Sequence, residues 1–199
     1  TKPLFMKKVL ASFLTICLLS LAAFSQGKIR PEALGLSFIL NDYATAQKIR
    51  SGSIEQVIRD DQWSKFRQMS PGLAISYFKG LKKNLDFAGT LAGSFVNYAL
   101  PNRTFSNDGF LMEADASVNF KIFDESYWVI PFLSAGLGVS KYRVYYGAFV
   151  PLGAGFRINL FDEASINFGT QYRVPITSET SGYHFMYSIG VSGVLGKKE

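Results

Sequence analysis

The sequence contains very little cysteine or histidine, and few charged residues for its length. Its 199 residues include one Cys and one His, which excludes a disulfide scaffold, a cysteine-rich zinc site and a haem attachment motif. Charged residues make up 18%, below the roughly 25% of a soluble domain. The basic residues are scattered with no run of five or more, whereas nucleic-acid binding needs a basic stripe. We therefore expect no nucleic-acid partner, no metal and no cofactor.

Aromatic and apolar residues are abundant instead. Aromatic residues make up 15% of the chain and apolar residues 48%, which excludes a disordered chain and is typical of a folded protein. The length fits one domain or two small ones. We find no linker that would separate two domains.

The first 25 residues predict a secretory signal peptide. Met6 is interpreted as the start, with residues 1–5 as an upstream extension, and two lysines precede the apolar run Val9–Phe24. That run is shorter than the roughly 20 residues of a membrane helix, and Ala23-Phe24-Ser25 fits a cleavage site before Gln26. The chain then divides into a signal peptide, 1–25, and one cysteine-free domain, 26–199, which suits an oxidising compartment.

Residues 26–199 show an alternation of period two. In Phe110–Phe123 the apolar side chains alternate with acidic, amide, hydroxyl and lysine side chains, and in a strand these two sets point to opposite faces. No apolar run in this domain is long enough for a membrane helix. Eight such segments occur, with about ten residues each, the length of a tilted strand that crosses a bilayer. They are Leu34–Tyr43, Gly72–Lys79, Asp86–Tyr98, Phe110–Phe123, Trp128–Lys141, Tyr146–Asn159, Ala164–Val174 and His184–Leu195.

The lengths of the connections predict an all-β, eight-stranded antiparallel up-and-down transmembrane barrel. Turns after segments 2, 4 and 6 are tight, and loops after segments 1, 3 and 7 are longer, as in outer-membrane barrels with periplasmic turns and extracellular loops. The short connection near Tyr142–Tyr145 departs from this pattern. In the longest loop, Ala44–Pro71, a capping box at Ser53 and Gln56 predicts a short helix, with a solvated loop as the alternative. Its expected apolar stripe comprises Ile54, Val57, Ile58 and Phe66, with Trp63 nearby.

Side-chain size indicates which face meets lipid. The less apolar face is mostly Gly, Ala, Ser and Thr, which suits the narrow interior of an eight-stranded barrel. A soluble lipocalin-like ligand-binding barrel is the alternative, with the apolar face inside. Aromatic residues near the strand ends predict two interfacial girdles. One comprises Tyr43, Tyr98, Tyr142, Tyr145, Tyr146 and Tyr183, and the other Phe123, Tyr127, Trp128 and Phe161.

Six charged residues fall on the face assigned to the lumen. Strand direction puts three of them toward the periplasmic end and two toward the outer end, with one between. A buried charge is tolerated only when it is paired, so a salt-bridge network that plugs the lumen is favoured over a gate in a narrow conducting path. In this order the residues are Asp86, Lys121 and Arg157, then Glu113 and Arg173, with Asp115 between them.

Two local features leave an alternative open or predict an irregularity. His184 is the sole imidazole available to an outer-membrane acyl hydrolase, and Ser188 lies about 13 Å from it along the same strand face, too far for a nucleophile and its base. A serine on a neighbouring strand remains the route to this alternative, and the favoured interpretation of His184 is an interfacial polar residue near a loop. Pro151 falls in the middle of a segment and predicts a β-bulge.

Several segments resemble a known family. Met69–Leu73 and Tyr77–Leu81 are similar to its second strand and first turn, Leu85–Leu91 to its third strand, and Tyr187–Ser192 to its last strand. The family is the outer-membrane protein A type of small eight-stranded bacterial outer-membrane barrels. The resemblance implies a cell outer-membrane location and a structural, surface or narrow porin-like role without catalysis.

The same resemblance implies partners. These are outer-membrane lipid and the barrel assembly machinery, which reads a terminal aromatic residue in many such barrels. This chain departs by ending Gly196-Lys197-Lys198-Glu199. Family members often continue into a peptidoglycan-binding domain, so peptidoglycan is a partner only through a domain that this sequence does not contain.

Overall fold

The computed structural model describes residues 29–96, 109–160, 163–178 and 180–196. The predicted signal peptide and its cleavage position lie outside these residues, as do Tyr98, Phe161 and most of the loop that follows the third strand. None of the helices in the described part of the chain is long and apolar enough to cross a bilayer.

Eight antiparallel strands form a closed barrel, as the alternation of the sequence predicts. Each strand pairs with its neighbours in sequence, and β8 closes the barrel against β1, with Ala33 opposite Val194 at one end. The predicted all-β up-and-down topology is confirmed. The strands are β1 Ala33–Asp42, β2 Ser70–Lys82, β3 Leu85–Val96, β4 Gly109–Lys121, β5 Val129–Tyr142, β6 Tyr145–Leu160, β7 Ala164–Pro175 and β8 His184–Val194.

The large apolar side chains point away from the barrel axis. Leu73, Leu91, Leu137 and Val191 are all exposed on the outer surface, while the alternate positions carry small and polar side chains inside. Since a water-soluble lipocalin needs the reverse arrangement, that alternative is wrong. The inner face is packed because an eight-stranded barrel is only wide enough for its own side chains.

Two helices occupy the long connection between β1 and β2. The first, α1, spans Tyr43–Ser51 and begins where Asp42 accepts a hydrogen bond from the Thr45 amide at 2.9 Å. The second, α2, spans Ile54–Arg59, and the Ser53 hydroxyl accepts from the Gln56 amide at 3.1 Å. A 3₁₀ turn follows at Phe66–Gln68. The sequence predicts α2 through its cap but places the residues of α1 in irregular loop.

In the long loop, Val57 of the expected apolar stripe is buried, and Ile54, Ile58 and Phe66 are exposed. One sequence prediction of local structure is wrong. Pro151 does not create a bulge, because the β5–β6 register is the same on both sides of it. The ladder merely lacks pairs at this point, as expected for a residue without an N–H. Among the described strands, the register shifts instead between β2 and β3, at Gly80 and Lys82.

Four of the eight described girdle residues are exposed, whereas Tyr142 is buried, Tyr43 and Tyr145 pack against the same inner cluster, and Tyr183 is half-buried. Tyr127, Trp128 and Phe123 are exposed near one end of the barrel, and Tyr146 near the other. The Tyr142 side chain lies inside the wall, packed with Val96 and Leu111, and its hydroxyl donates to the Val96 carbonyl oxygen at 3.2 Å. Its prediction as an interfacial residue is therefore wrong. Tyr142 is the last residue of β5 and occupies an inward-facing position, which the alternation of the sequence already indicates.

Candidate functional site: the ion-paired lumen

The inner wall brings the six predicted lumen charges into two separate clusters. We call the end of the barrel that holds the start of β1 and the end of β8 the terminal end, and the opposite end, which carries α1 and α2, the loop end. All six side chains are buried inside the barrel. Asp86, Lys121 and Arg157 lie toward the terminal end, and Glu113, Asp115 and Arg173 toward the loop end.

The terminal cluster is centred on Asp86. Its two carboxylate oxygens lie 2.7 Å from Lys121 Nζ and 3.2 Å from Arg157 Nη1. Glu125, from the β4–β5 turn, accepts from Lys121 at 2.6 Å and also pairs with Arg157. Arg30, just before β1, approaches Asp86 at 3.6 Å. Three cations thus surround two carboxylates, which satisfies the requirement that buried charges be paired.

Neighbouring charges set the protonation of the two cluster members that lie outside the strands. Burial tends to raise the pKa of Glu125, but Arg157 and Lys121 outweigh it and hold the pKa below its ordinary 4.5. Burial and the nearby Arg157 lower the pKa of Arg30 to about 9. Glu125 is therefore ionised at neutral pH, and the cluster carries an excess positive charge while Arg30 stays protonated.

The loop cluster is centred on Arg173. The Arg173 guanidinium, which is 0% exposed, lies 2.5 Å from Glu113 Oε2 and 3.0 Å from Asp115 Oδ2. Its planar group also lies 4.8 Å from the centre of the Phe149 ring. One cation here faces two carboxylates, which is the opposite balance to that of the terminal cluster.

His184 joins the loop cluster with its side chain buried inside the barrel, whereas the sequence favours an interfacial polar residue near a loop. Its side chain is buried, with Nε2 3.5 Å from Glu113 Oε2 and Nδ1 3.1 Å from the Gly182 carbonyl oxygen. The Tyr43 ring packs on it at 4.6 Å. Ser188 instead donates to the Gly169 carbonyl oxygen at 3.4 Å. No serine in the described part of the chain forms a recorded hydrogen bond with the imidazole.

The space between the two clusters is small and largely filled. Arg157 lies opposite Asn167 on β7, and Arg173 is six residues further along that strand, or about 20 Å. Ile39, Ala74, Ala92 and Met186 form an apolar group across the lumen. A cavity of about 70 Å³ remains, with room for about five water molecules at most.

Arg30, Glu125 and His184 also belong to the site, beyond the six charges that the sequence predicts. Arg30 and Glu125 lie outside the alternating segments, so parity could not place them. For His184 the alternation of the sequence does indicate an inward-facing position in β8. The structure then places His184 opposite Arg173. In the described residues no three His, Cys, Asp or Glu side chains are grouped to hold a metal ion.

The closed eight-stranded wall, the apolar outer face and the ion-paired interior together define the fold of the small outer-membrane barrels. Solved structures of that class match this chain over most of its length. Neisserial surface protein A matches at 16% identity with a TM-score of 0.52, covering 82% of this chain and 97% of that one. OprG from Pseudomonas aeruginosa matches at 8% identity with a TM-score of 0.54, covering 86% and 100%.

A domain of a larger protein shows the same likeness. The N-terminal β-barrel domain of Pseudomonas aeruginosa OprF matches at 12% identity with a TM-score of 0.50, covering 84% of this chain and 98% of that one. No family model matches the sequence, and no curated protein does. The fold implied by the sequence resemblance is thus confirmed by structure.

Proposed function

We propose that this chain is an integral protein of the bacterial outer membrane with a structural and surface-exposed role. The observation that carries the proposal is the partition of side chains across the wall. Large apolar side chains cover the outside, while every predicted lumen charge is buried and paired inside. In water the outer surface would be a large exposed apolar area, whereas in lipid it is the expected belt.

The charge network acts as a plug in this proposal, and no conducting path is needed. Arg173 is fully buried against its two carboxylates, and the apolar group around Ile39 and Met186 narrows the lumen between the clusters. An ion crossing the barrel would have to separate these pairs and pass that group. A narrow porin-like path would require Arg173 to exchange its ion-pair partners in the loop cluster so that the lumen opens.

We also propose that the barrel is not catalytic. The support is the position of His184, whose imidazole is held between Glu113, Gly182 and Tyr43 with no serine hydrogen-bonded to it among the described residues. A general base must reach its nucleophile at hydrogen-bond distance. An acyl hydrolase would need His184 to leave this setting.

Two measurements test the location and the plug. The chain should extract from membranes only with detergent, and the folded and heat-unfolded forms should migrate differently on a gel. A chain that folds and remains soluble without detergent would refute the membrane assignment. Planar-bilayer recordings should show no conductance for the wild type, whereas steady ion conductance would replace the plug with a channel. Acyl-hydrolase activity that His184→Ala abolishes would overturn the non-catalytic role.

A further inference from the structure

The connection between β1 and β2 presents an apolar surface at the loop end of the barrel. We call the four side chains that form it, Ile54, Ile58, Trp63 and Phe66, the loop-1 apolar face. They are 56%, 60%, 43% and 70% exposed, respectively. Ile54 and Ile58 are four residues apart on α2, so they share one side of that helix.

This exposure occurs in an ordered segment with its own anchors. Asp42 Oδ1 accepts hydrogen bonds from the Thr45 amide at 2.9 Å and the Ser64 hydroxyl at 2.7 Å. Lys48 Nζ donates to the Gln62 carbonyl oxygen at 2.9 Å, and Val57 is buried. The segment thus has buried anchors, while the four side chains of the loop-1 apolar face are exposed.

The loop-1 apolar face is followed along the chain by a strand of the lipid-facing surface. Phe66 lies in the turn just before β2, whose outward side chains Leu73 and Ile75 are 60% and 52% exposed. Leu73 is seven positions after Phe66, so the two residues are at most about 25 Å apart along extended chain. The apolar side chains of the loop are therefore close in sequence to the belt proposed above.

Positive charge accompanies this surface. Lys65 and Arg67 flank Phe66, both are exposed, and neither has a recorded ion pair with the described residues. Across residues 43–69 there are five basic and three acidic residues. An apolar face bordered by cations is the pattern of segments that lie in the interface of an anionic membrane. Lys65 and Arg67 lie just before β2, next to the lipid-facing belt in sequence, and this position favours a lipid surface over a protein partner.

We propose that the loop-1 apolar face lies in the outer-leaflet interface, with Lys65 and Arg67 binding the phosphate groups of anionic lipids. This inference rests on the proposed membrane location. In this arrangement the ligand of the loop is a lipid surface, and the outer rim of the barrel is asymmetric. The sequence provides its own probes, because its two tryptophans are Trp63, in the face, and Trp128, near the terminal end of the belt.

The experiment compares two single-tryptophan forms of the full chain in vesicles. Trp128→Phe leaves only Trp63, and Trp63→Phe leaves only Trp128. Each is reconstituted into phosphatidylcholine vesicles with or without phosphatidylglycerol, containing lipid brominated near the headgroup end of its acyl chains. We expect both tryptophans to be quenched by bromine, and Trp63 to be quenched more strongly when phosphatidylglycerol is present. Heat-modifiable gel mobility checks the folding of each variant.

Charge variants test the role of the cations. In the Trp63-only form, replacing Lys65 and Arg67 by Gln should lower the ratio of docked to undocked loop about 30-fold in anionic vesicles, or about fivefold for each charge. The matched control is Lys82→Gln, which removes an exposed charge at the opposite end of the barrel and should leave the quenching of Trp63 unchanged.

The pattern of quenching separates this inference from the membrane assignment. Quenching of Trp128 without quenching of Trp63, with Trp63 accessible to acrylamide, overturns the docking and leaves the membrane location intact. Absence of quenching for both residues overturns the membrane location and the docking with it. A third outcome is that Trp63 is shielded from acrylamide without being quenched by bromine, to an extent that rises with protein density in the vesicles. That result overturns lipid docking and indicates that a second copy of the chain covers the face.

Discussion

Replacing Arg173 by Met tests whether paired charges hold the lumen together. The guanidinium of Arg173 is fully buried and contacts Glu113 at 2.5 Å and Asp115 at 3.0 Å. Met keeps an unbranched side chain in the same space but removes the charge. The substitution leaves two carboxylates buried near each other without the guanidinium between them.

The size of the effect follows from this burial. Removing one partner of a buried ion pair costs about 3–5 kcal/mol, because the remaining charge is uncompensated. Since Arg173 serves two carboxylates, we expect the upper part of that range. Glu113→Gln or Asp115→Asn should each cost less, because Arg173 retains one carboxylate. The terminal cluster lies about 20 Å away along the barrel wall, so effects in the two clusters should add.

A neutralising triple variant separates the loss of pairing from the loss of packing. Arg173→Met combined with Glu113→Gln and Asp115→Asn removes all three charges, and should return to within about 2 kcal/mol of the wild type. The free energy of unfolding can be measured by urea titration in detergent micelles, followed by tryptophan fluorescence. A loss below about 1 kcal/mol for the single variant, the value of an exposed pair, would refute the reasoning. So would a triple variant that recovers nothing.

Three further substitutions test other contacts. Because the pKa of Glu125 is lowered in the fold, its contribution is present above pH 4.5 and lost as pH falls through the lowered value. Glu125→Gln should therefore reduce the loss of unfolding free energy as the pH falls into the acidic range. The control Glu163→Gln, in an exposed turn, should leave that pH dependence as in the wild type. Gly138→Ala would drive a methyl group into the Phe149 ring and cost about 1–3 kcal/mol, whereas Gly193→Ala meets nothing within 4 Å and should leave the urea midpoint unchanged. Asp42→Ala removes the cap of α1, worth about 1 kcal/mol, and should speed trypsin cleavage in the first loop with little change in the urea midpoint.

The parity of the sequence predicted most of this structure because period two determines which way a strand residue points. In a barrel with a filled lumen, inward and outward positions differ sharply in size and polarity, so the alternation is strong. Lys121 and Arg157 were placed on the inner face in this way, and both lie there. Strand direction then placed them at the same end of the barrel as Asp86.

The same rule fails wherever the chain leaves the strands. Glu125 enters the terminal cluster from a turn, where it accepts from Lys121 at 2.6 Å, and no periodicity fixes the direction of a turn side chain. Helix α1 was missed because its nine residues include no acidic residue in the first turn and few large apolar residues. Its stability comes from the Asp42 cap and from packing on β8 and Tyr183, which are tertiary contacts.

Girdle residues show why aromatic content alone is a poor guide to membrane depth. Tyr142 and Tyr146 lie near the same end of adjacent strands, yet one is 3% exposed and the other 68%. Tyr142 sits at an inward position where its hydroxyl reaches the Val96 carbonyl oxygen, and Tyr146 sits at an outward one. An aromatic residue at a strand end therefore marks an interface only when its parity is outward. Trp128 lies in the bend just before β5, outside the alternation, and its 66% exposure makes it the reference point for depth at the terminal end, while Trp63 tests whether the loop end has its counterpart.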